Sequence, residues 1–354
     1  MKFVHIADMH FDVPFTTLNK NNFGDQRRLE QRQIFKKMIE YIKQNKIEYL
    51  FICGDLYEQE YVKASTIEYI NKLFQEIPET RIYITPGNHD PYLKNSYYNQ
   101  YSWAPNVYIF NEKLTKIDNG NIHIYGYGFN NFYMKNNVLN QINIQEKEEI
   151  NILLTHADLD ATEEQYNPIS KRELKQLEFD YIALGHIHKP SYADELNQNI
   201  IYPGSPISMG FDELGKHGMI VGEIDNNKKL KIEFVSLDEK EFVEQNIELD
   251  EIQSKEELIE KINQMQLEEN KFYKIILQGK RNFEVNTYEL EKYVNNKIIK
   301  IKDNTKIKLD LEELAKQNNL KGIFVKNMLQ KMQVAQESEK EKLLKAIEIG
   351  LEAM

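Results

Sequence analysis

Phe3-Val4-His5-Ile6-Ala7 runs directly into Asp8-Met9-His10, and this junction decides how the chain is read. An apolar run of strand length ends on side chains that bind metals. The same pattern recurs further along. Tyr49-Leu50-Phe51-Ile52-Cys53 leads into Gly54-Asp55, and Ile82-Tyr83-Ile84 leads into Gly87-Asn88-His89-Asp90. Ile152-Leu153-Leu154 leads into His156, and Tyr181-Ile182-Ala183-Leu184 leads into Gly185-His186-Ile187-His188. Continuous apolar runs are the mark of buried strands in an α/β sheet. Ligands of such sheets gather at the carboxyl ends of the strands. The five junctions therefore predict one site, built from five strand ends.

Working outward, residues 1–237 alternate strand and helix patterns. Leu29, Ile34, Phe35, Met38, Ile39 and Ile42 fall on one face of a helix over 26–45. Ile67, Ile70, Leu73, Phe74 and Ile77 do the same over 63–77. This βαβα order predicts an α/β fold with a partly parallel sheet covered by helices. Residues 107–127 read as an antiparallel meander turning at Asp118-Asn119-Gly120-Asn121, and 216–236 as a closing hairpin. Beyond Leu237 the pattern predicts a small α+β cap over 238–309. Helices follow over 310–354, with Gly322 and Ser338 as helix starts.

The chain has 354 residues, 41% of them hydrophobic, so a large domain with a smaller companion is expected. Its one cysteine, Cys53, lies inside an apolar run and is expected to be a buried small hydrophobe in a reducing cytoplasm. No signal-peptide pattern and no apolar run of bilayer length is visible, so a soluble protein with no membrane association is expected. The net charge of −11 excludes a surface coated in positive charge. Charge is nevertheless local: residues 271–308 hold ten Lys or Arg against four acids. That window is either a solvated basic face or a nucleic-acid contact.

The residue types at the five junctions point to metal-assisted hydrolysis. Asp8 and His10, like His186 and His188, are two apart, so in extended chain each pair points the same way. Oxygen and imidazole ligands together suit Mn, Fe or Zn better than Ca or Mg. Two divalent ions outweigh Asp8 and Asp55 in charge, which favours an anionic substrate such as a phosphate ester. Such a pair of ions can activate a water and stabilise both oxygens of an in-line displacement. His89 is left to act at the leaving oxygen as a general acid or a charge stabiliser.

Asp8-x-His10, Gly54-Asp55, Gly87-Asn88-His89-Asp90, His156 and Gly185-His186-x-His188 together resemble the calcineurin-like metallophosphoesterase signature. The resemblance implies a four-layer α/β/β/α sandwich. It also implies one ion held by Asp8, His10, Asp55 and His188, and a second held by Asp55, Asn88, His156 and His186. Asp55 would bridge them and His89 would be catalytic. A finer resemblance is to SbcD-type DNA-repair exonucleases and their shorter YhaO-like branch. Segments 5–15, 54–57, 86–91, 166–170, 179–190 and 202–206 carry it. It covers about the first 225 residues strongly. It implies manganese, DNA cleavage by exonuclease or endonuclease action, a homodimer, and an SbcC-type coiled-coil ATPase as partner.

One position departs from that pattern. Many nucleases of this kind have histidine three residues after the bridging aspartate; here it is Glu58. The related phosphatases place there an aspartate that pairs with the catalytic histidine. Glu58 is therefore expected to orient His89 and raise its pKa, against the alternative of an exposed loop glutamate. Among other residues, His5 is expected to be packed, His123 solvent-facing and His217 close to the site at most. Trp103 and Tyr92, Tyr97, Tyr98 and Tyr101 are expected in core or at a subunit contact, with base stacking as the alternative. The apolar stripes at 323–332 and 343–351 are expected to dock on a partner's helices. Two rival readings stand beside a DNA-cleaving enzyme. One is a small-molecule phosphodiesterase or phosphatase with no DNA role; the other is a non-catalytic scaffold.

Overall fold

The structure, a computed structural model, describes residues 1–15, 23–161, 165–191, 198–308 and 310–353. The chain opens with β1 (Lys2–Ile6), α1 (Phe23–Asn45), β2 (Tyr49–Cys53), α2 (Ala64–Gln75) and β3 (Arg81–Thr85). Then come α3 (Tyr97–Gln100), β4 (Val107–Ile109), β5 (Thr115–Asn119), β6 (Ile122–Gly126) and β7 (Ile150–His156). β8 (Asp158–Leu159), β9 (Pro168–Ile169), α4 (Lys171–Gln176), β10 (Tyr181–Gly185), β11 (Ile200–Ile201), β12 (Gly218–Ile224) and β13 (Leu230–Ser236) follow.

Two sheets hold this part together, in the orders β13-β12-β1-β2-β3-β4 and β11-β10-β7-β6-β5. β1 to β4 are mutually parallel, as are β6, β7, β10 and β11; β12, β13 and β5 run antiparallel to their neighbours. The strand period of two explains the layering. Phe3 of β1 and Tyr49 and Phe51 of β2 share a core with Ile152, Leu154, Tyr181 and Ala183 of the second sheet. The alternate residues Val4, Ile6, Leu50 and Ile52 pack with Ile34, Phe35, Met38, Ile67 and Ile70 of α1 and α2. On the far side, Leu153, Ile182 and Leu184 pack with Leu174 of α4. The result is α/β/β/α in four layers. Every central strand is covered on both faces, which is why its sequence reads as a continuous apolar run.

The expectations for β4 and for His123 need correction. Val107–Ile109 is no part of a meander: β4 pairs parallel with β3, and only β5 and β6 form an antiparallel hairpin. The crossover from β3 carries only the one-turn α3, so the sequence shows no helical period there to announce a parallel return. His123 is not solvent-facing. All five residues of β6 are buried, and His123 lies 2.6 Å from Asp118 Oδ1 and 2.5 Å from Glu149 Oε2.

The chain divides into two compact units, Met1–Val243 with Glu268–Phe272, and Glu244–Leu267 with Tyr273–Met354. The second contains β14 (Glu241–Glu248, in larger part), α5 (Lys255–Asn263), β15 (Lys271–Gln278, in larger part), β16 (Lys280–Arg281) and α6 (Thr287–Leu290). It ends with β17 (Ile298–Asp303), β18 (Lys306–Ile307), α7 (Leu311–Ala315), α8 (Leu320–Val334) and α9 (Glu337–Glu352). Its sheet has the order β14-β15-β17. Tyr273, Ile275, Leu277 and Ile301 point inward, while Lys300 and Lys302 are exposed. Gly322 is not a helix start but lies in the first turn of α8, where its N–H donates to the capping Asn319 Oδ1. The apolar stripes are partly used within the unit: Val325 and Ile347 are buried, and Gly350 lies against the Phe324 ring. Ile323 and Leu344 remain exposed. Among the described residues, no helix is long and apolar enough to cross a membrane.

Candidate metal centre

The ends of β1, β2 and β3 from one sheet and of β7 and β10 from the other meet at one edge of the sandwich. The chain does not arrive there in extended form. β1 stops at Ile6, and Asp8 (φ 54°), His10 (φ 48°), Asp55 (φ 52°) and His186 (φ 107°) all sit at left-handed φ. The side-by-side placement of Asp8 and His10 therefore comes from left-handed turns and not from the strand pleat expected from their spacing. Asp8, His10 and Phe11 N–H groups donate to the carbonyls of Gly54, Asp55 and Leu56, which holds the two turns together. Such backbone is costly for residues with a Cβ and collects at functional sites.

Gly54 is a turn glycine (φ +85°), and a Cβ there would collide with His156 Nδ1. Gly185 is needed for a different reason. It lies within β10, where a Cβ would fall on the Cys53 carbonyl oxygen.

Three imidazoles share one hydrogen-bonding arrangement. His10 Nδ1 lies 2.7 Å from Glu58 Oε1, His156 Nδ1 lies 2.8 Å from the Cys53 carbonyl, and His188 Nδ1 lies 2.5 Å from Glu213 Oε1. All three partners are acceptors, so each Nδ1 carries a proton, and each Nε2 is the atom that offers a lone pair when the ring is neutral. Those Nε2 atoms converge. His10 and His188 Nε2 are 3.2 Å apart. His10 and His156 Nε2 lie 3.7 and 3.3 Å from Asp55 Oδ2, and His188 Nε2 lies 3.8 Å from Asp8 Oδ1. Asn88 Oδ1 stands 3.0 Å from His156 Nε2. Ligand atoms of Asp8, His10 and His188, and of Asp8, Asp55 and His156, lie within 4.8 Å of one another. His186 stands further out, its ring 5.2 Å from that of His156 and its Nε2 4.0 Å from Asp158 Oδ2. Buried carboxylates facing converging imidazole lone pairs form a donor set that fits divalent metal ions.

Electrostatics agree with that donor set. Burial raises the pKa of Asp8, opposed by the charges of His188 and His156. Burial acts in the same sense on Asp55, but His156, His10 and His89 outweigh it and hold that carboxyl well below its usual range. Burial disfavours charge on His156 and His188 as well. Asp55 and Asp8 reverse this for His156, and Glu213 and Asp8 for His188, and both rise to about 9. His186 is pushed down to about 3, by burial first and by His156 second.

Glu58 is not an exposed loop residue. Its side chain is 12% exposed, and while Oε1 holds His10, Oε2 lies 2.9 Å from His89 Nδ1. Burial opposes charge on His89, but the bond to Glu58 and the charges of Asp55 and Asp90 raise its pKa to about 9. The His89 ring is 45% exposed, so it can be reached from solvent. The contact between Glu58 and His10 is not legible in the sequence, since spacing cannot show that one carboxylate reaches two rings.

Two further acids have roles that the sequence does not show, although Asp90 stands in the Gly87-Asn88-His89-Asp90 motif. Asp90 accepts from the N–H groups of Asp55, Leu56 and Gly87 and from Tyr98 Oη, tying the turns after β2 and β3 together. Glu213 has no local pattern at all. Of the remaining candidates, His5 is packed between the sheets, 2.9 Å from Tyr181 Oη. His217 is buried beside Ser205, and Cys53 is buried. Trp103 packs between Phe74 and Tyr98 and donates to the Tyr97 carbonyl, so core replaces base stacking there.

Comparison with known proteins bears on this geometry. The description of calcineurin-like phosphoesterases matches residues 1–190, and the chain belongs to that family. Members of the family hydrolyse phosphoesters with divalent metals. "Uncharacterized metallophosphoesterase YhaO" of Bacillus subtilis (strain 168) is 25% identical over 238 residues, 64% of this chain and 58% of its own length. The SbcD component of the SbcCD nuclease of Staphylococcus epidermidis (strain ATCC 12228 / FDA PCI 1200) is 28% identical over 275 residues, 67% of this chain and 70% of its own. "DNA double-strand break repair protein Mre11" of Methanopyrus kandleri is 23% identical over 269 residues, 67% of this chain and 57% of its own. The chain thus matches between 57% and 70% of the length of these relatives. Similarity to YhaO and SbcD agrees with the branch that the motifs resemble.

Proposed function

We propose that the chain is a two-metal phosphodiesterase that cuts DNA, with Mn²⁺ as its metal. The observation that carries this reading is the convergence of three Nε2 atoms on Asp8 and Asp55, beside a His89 bonded to Glu58. Asp8, His10, Asp55 and His188 would hold one ion, and Asp55, Asn88, His156 and His186 the other. Such ions supply an activated water and neutralise the charge of the phosphoryl oxygens.

The chain's own residues do the rest. His10, His156 and His188 are held in the tautomer that offers Nε2. His89, protonated near neutral pH, donates to the leaving oxygen. Glu58 orients the His89 ring by accepting from Nδ1, which leaves Nε2–H for the substrate. Glu58 and Glu213 add to the charge of Asp8 and Asp55, so four carboxylates balance two divalent ions. The protonated His89 then supplies the excess positive charge that draws a phosphate to this side.

The DNA role is supported by the similarity to the SbcCD and Mre11 relatives and by the lysines of the second unit. Lys300 and Lys302 stand exposed two residues apart on β17. A cap over 238–309, a partner-binding segment over 310–354, an SbcC-type ATPase partner, a homodimer and a cytoplasmic setting belong to the same proposal.

The test is Mn²⁺-dependent hydrolysis of end-labelled single- and double-stranded DNA, with a chromogenic phosphodiester alongside and His89→Ala as control. DNA cleavage lost in the variant is expected. Hydrolysis of the small ester alone, with DNA untouched even when the ATPase is added, would overturn the DNA role and favour a small-molecule phosphodiesterase. No hydrolysis together with no bound metal would favour a scaffold.

A further inference from the structure

We propose that Glu213 is a positioning residue for His188, fixing the tautomer and aim of that imidazole and thereby the affinity of one of the two metal positions. This rests on the two-metal reading above. Glu213 lies in the connection from β11 to β12, with its side chain 13% exposed. Both of its carboxylate oxygens are occupied. Oε1 lies 2.5 Å from His188 Nδ1; Oε2 accepts from Ser205 Oγ at 2.9 Å and from Met209 N at 3.2 Å.

The backbone of Glu213 is held as firmly. Its N–H donates to Gly210 O at 3.2 Å, and its carbonyl accepts from Ser208 Oγ at 2.9 Å. His217 Nε2 stands 3.0 Å from the same carbonyl, and His217 Nδ1 stands 2.9 Å from Ser205 Oγ. Ser205, Ser208 and His217 are all buried. A carboxylate fixed at both ends cannot turn away, so its Oε1 dictates where the His188 ring points.

The consequence is chemical. A carboxylate only accepts, so His188 must present Nδ1–H to it, which turns Nε2 toward Asp8 and His10 as the ring's one metal-binding atom once its proton is released. A carboxylate behind a metal-binding imidazole makes the ring a stronger ligand as well as a better-aimed one. Glu58 stands in the same relation to His10, and the Cys53 carbonyl to His156. The division of labour within Glu213 separates this role from simple loop support. Among the described residues, the loop contacts of Ser205 and Met209 go to Oε2, and Oε1 is given to His188 alone.

The test is Mn²⁺ titration of the metal-freed full chain, followed by calorimetry and by the EPR signal of free Mn²⁺. Wild type is expected to bind two ions. Glu213→Ala is expected to weaken one of them by about 10- to 100-fold and leave the other unchanged. Glu213→Gln keeps an acceptor of the same size and should fall at the low end, about 10-fold. Ser205→Ala, which removes one of the two bonds to Oε2 and spares Oε1, should weaken the same ion as Glu213→Ala does, and by less. Wild-type affinity at both positions in Glu213→Gln and Glu213→Ala would overturn the inference. Equal weakening of both, with a lowered metal-free Tm, would assign Glu213 to loop support and overturn it equally. If Glu213→Ala does not fold, Glu213→Gln decides alone. Failure of wild type to bind Mn²⁺ would instead overturn the two-metal reading, and this inference with it.

Discussion

Glu58→Gln is the sharpest perturbation of the candidate site, because it changes charge and acceptor number at constant size. Glu58 accepts from two rings at once, from His10 Nδ1 at 2.7 Å and from His89 Nδ1 at 2.9 Å. An amide has one acceptor oxygen and one donor NH₂, so Gln can serve only one of them. His10 is buried and has nowhere else to turn, whereas the half-exposed His89 can bond water. The variant is therefore expected to keep His10 in place and release His89. A hydrogen bond to a charged partner contributes about 1.5–3 kcal/mol, so its loss at the reacting step is about 10- to 150-fold in kcat.

The pH dependence has a definite sign. His89 is held at about 9 in large part by Glu58 and must be protonated to donate. In the metal-free protein the ring therefore keeps its acid until pH rises through about 9, and bound divalent ions lower that value in wild type and variant alike. In the variant the pKa falls back toward about 6.5, so the acid is lost earlier. The deficit should widen between those two values. The assay is kcat against pH on a chromogenic phosphodiester, with bound Mn²⁺ measured on the same samples. A variant with wild-type kcat and pH profile at equal metal content would refute the reasoning.

Three further outcomes follow from the geometry. In the metal-free protein His156 and His188 are protonated up to about 9, and as ligands they must be neutral. Mn²⁺ uptake at neutral pH should then release protons, and affinity should climb with pH up to about 9. Calorimetry in two buffers of different ionisation enthalpy would read this, and an absence of proton release would contradict it. Gly54→Ala drives a Cβ into His156 Nδ1 at φ +85°. It should cost about 1–3 kcal/mol in urea unfolding and weaken metal binding; unchanged values in both would contradict the argument. Asp238→Ala leaves the fully buried Arg27 guanidinium without the carboxylate 2.6 Å away. Because Glu30 also pairs with Arg27, the loss should be near the low end for a broken buried pair, about 3 kcal/mol. Denaturant unfolding measures it, and a change below about 1 kcal/mol would show that the pair is dispensable.

Much of this arrangement is legible in the residues. The five runs are almost wholly apolar because both faces of each central strand are covered, as they are in the parallel part of a layered sandwich. Motif and spacing single out His89 and Glu58, and the two lie side by side. The misreadings have physical causes. β4 returns parallel over a crossover with almost no helix, and β6 is buried on both faces. The extended pairing of Asp8 and His10 gives way to left-handed backbone, which no periodicity reveals.

By itself the sequence determined which strands are central and where they end. It also determined which side chains stand at those ends, because burial and ligand chemistry are properties of residue type in local order. Only the tertiary structure decided how the imidazoles are used. The proton on His10 is set by Glu58, that on His156 by the Cys53 carbonyl, and that on His188 by Glu213. Each of these partners lies on a different segment from the ring it holds. A hydrogen bond across the fold leaves no period and no spacing in the chain, so it exists only once the distant segments are folded together.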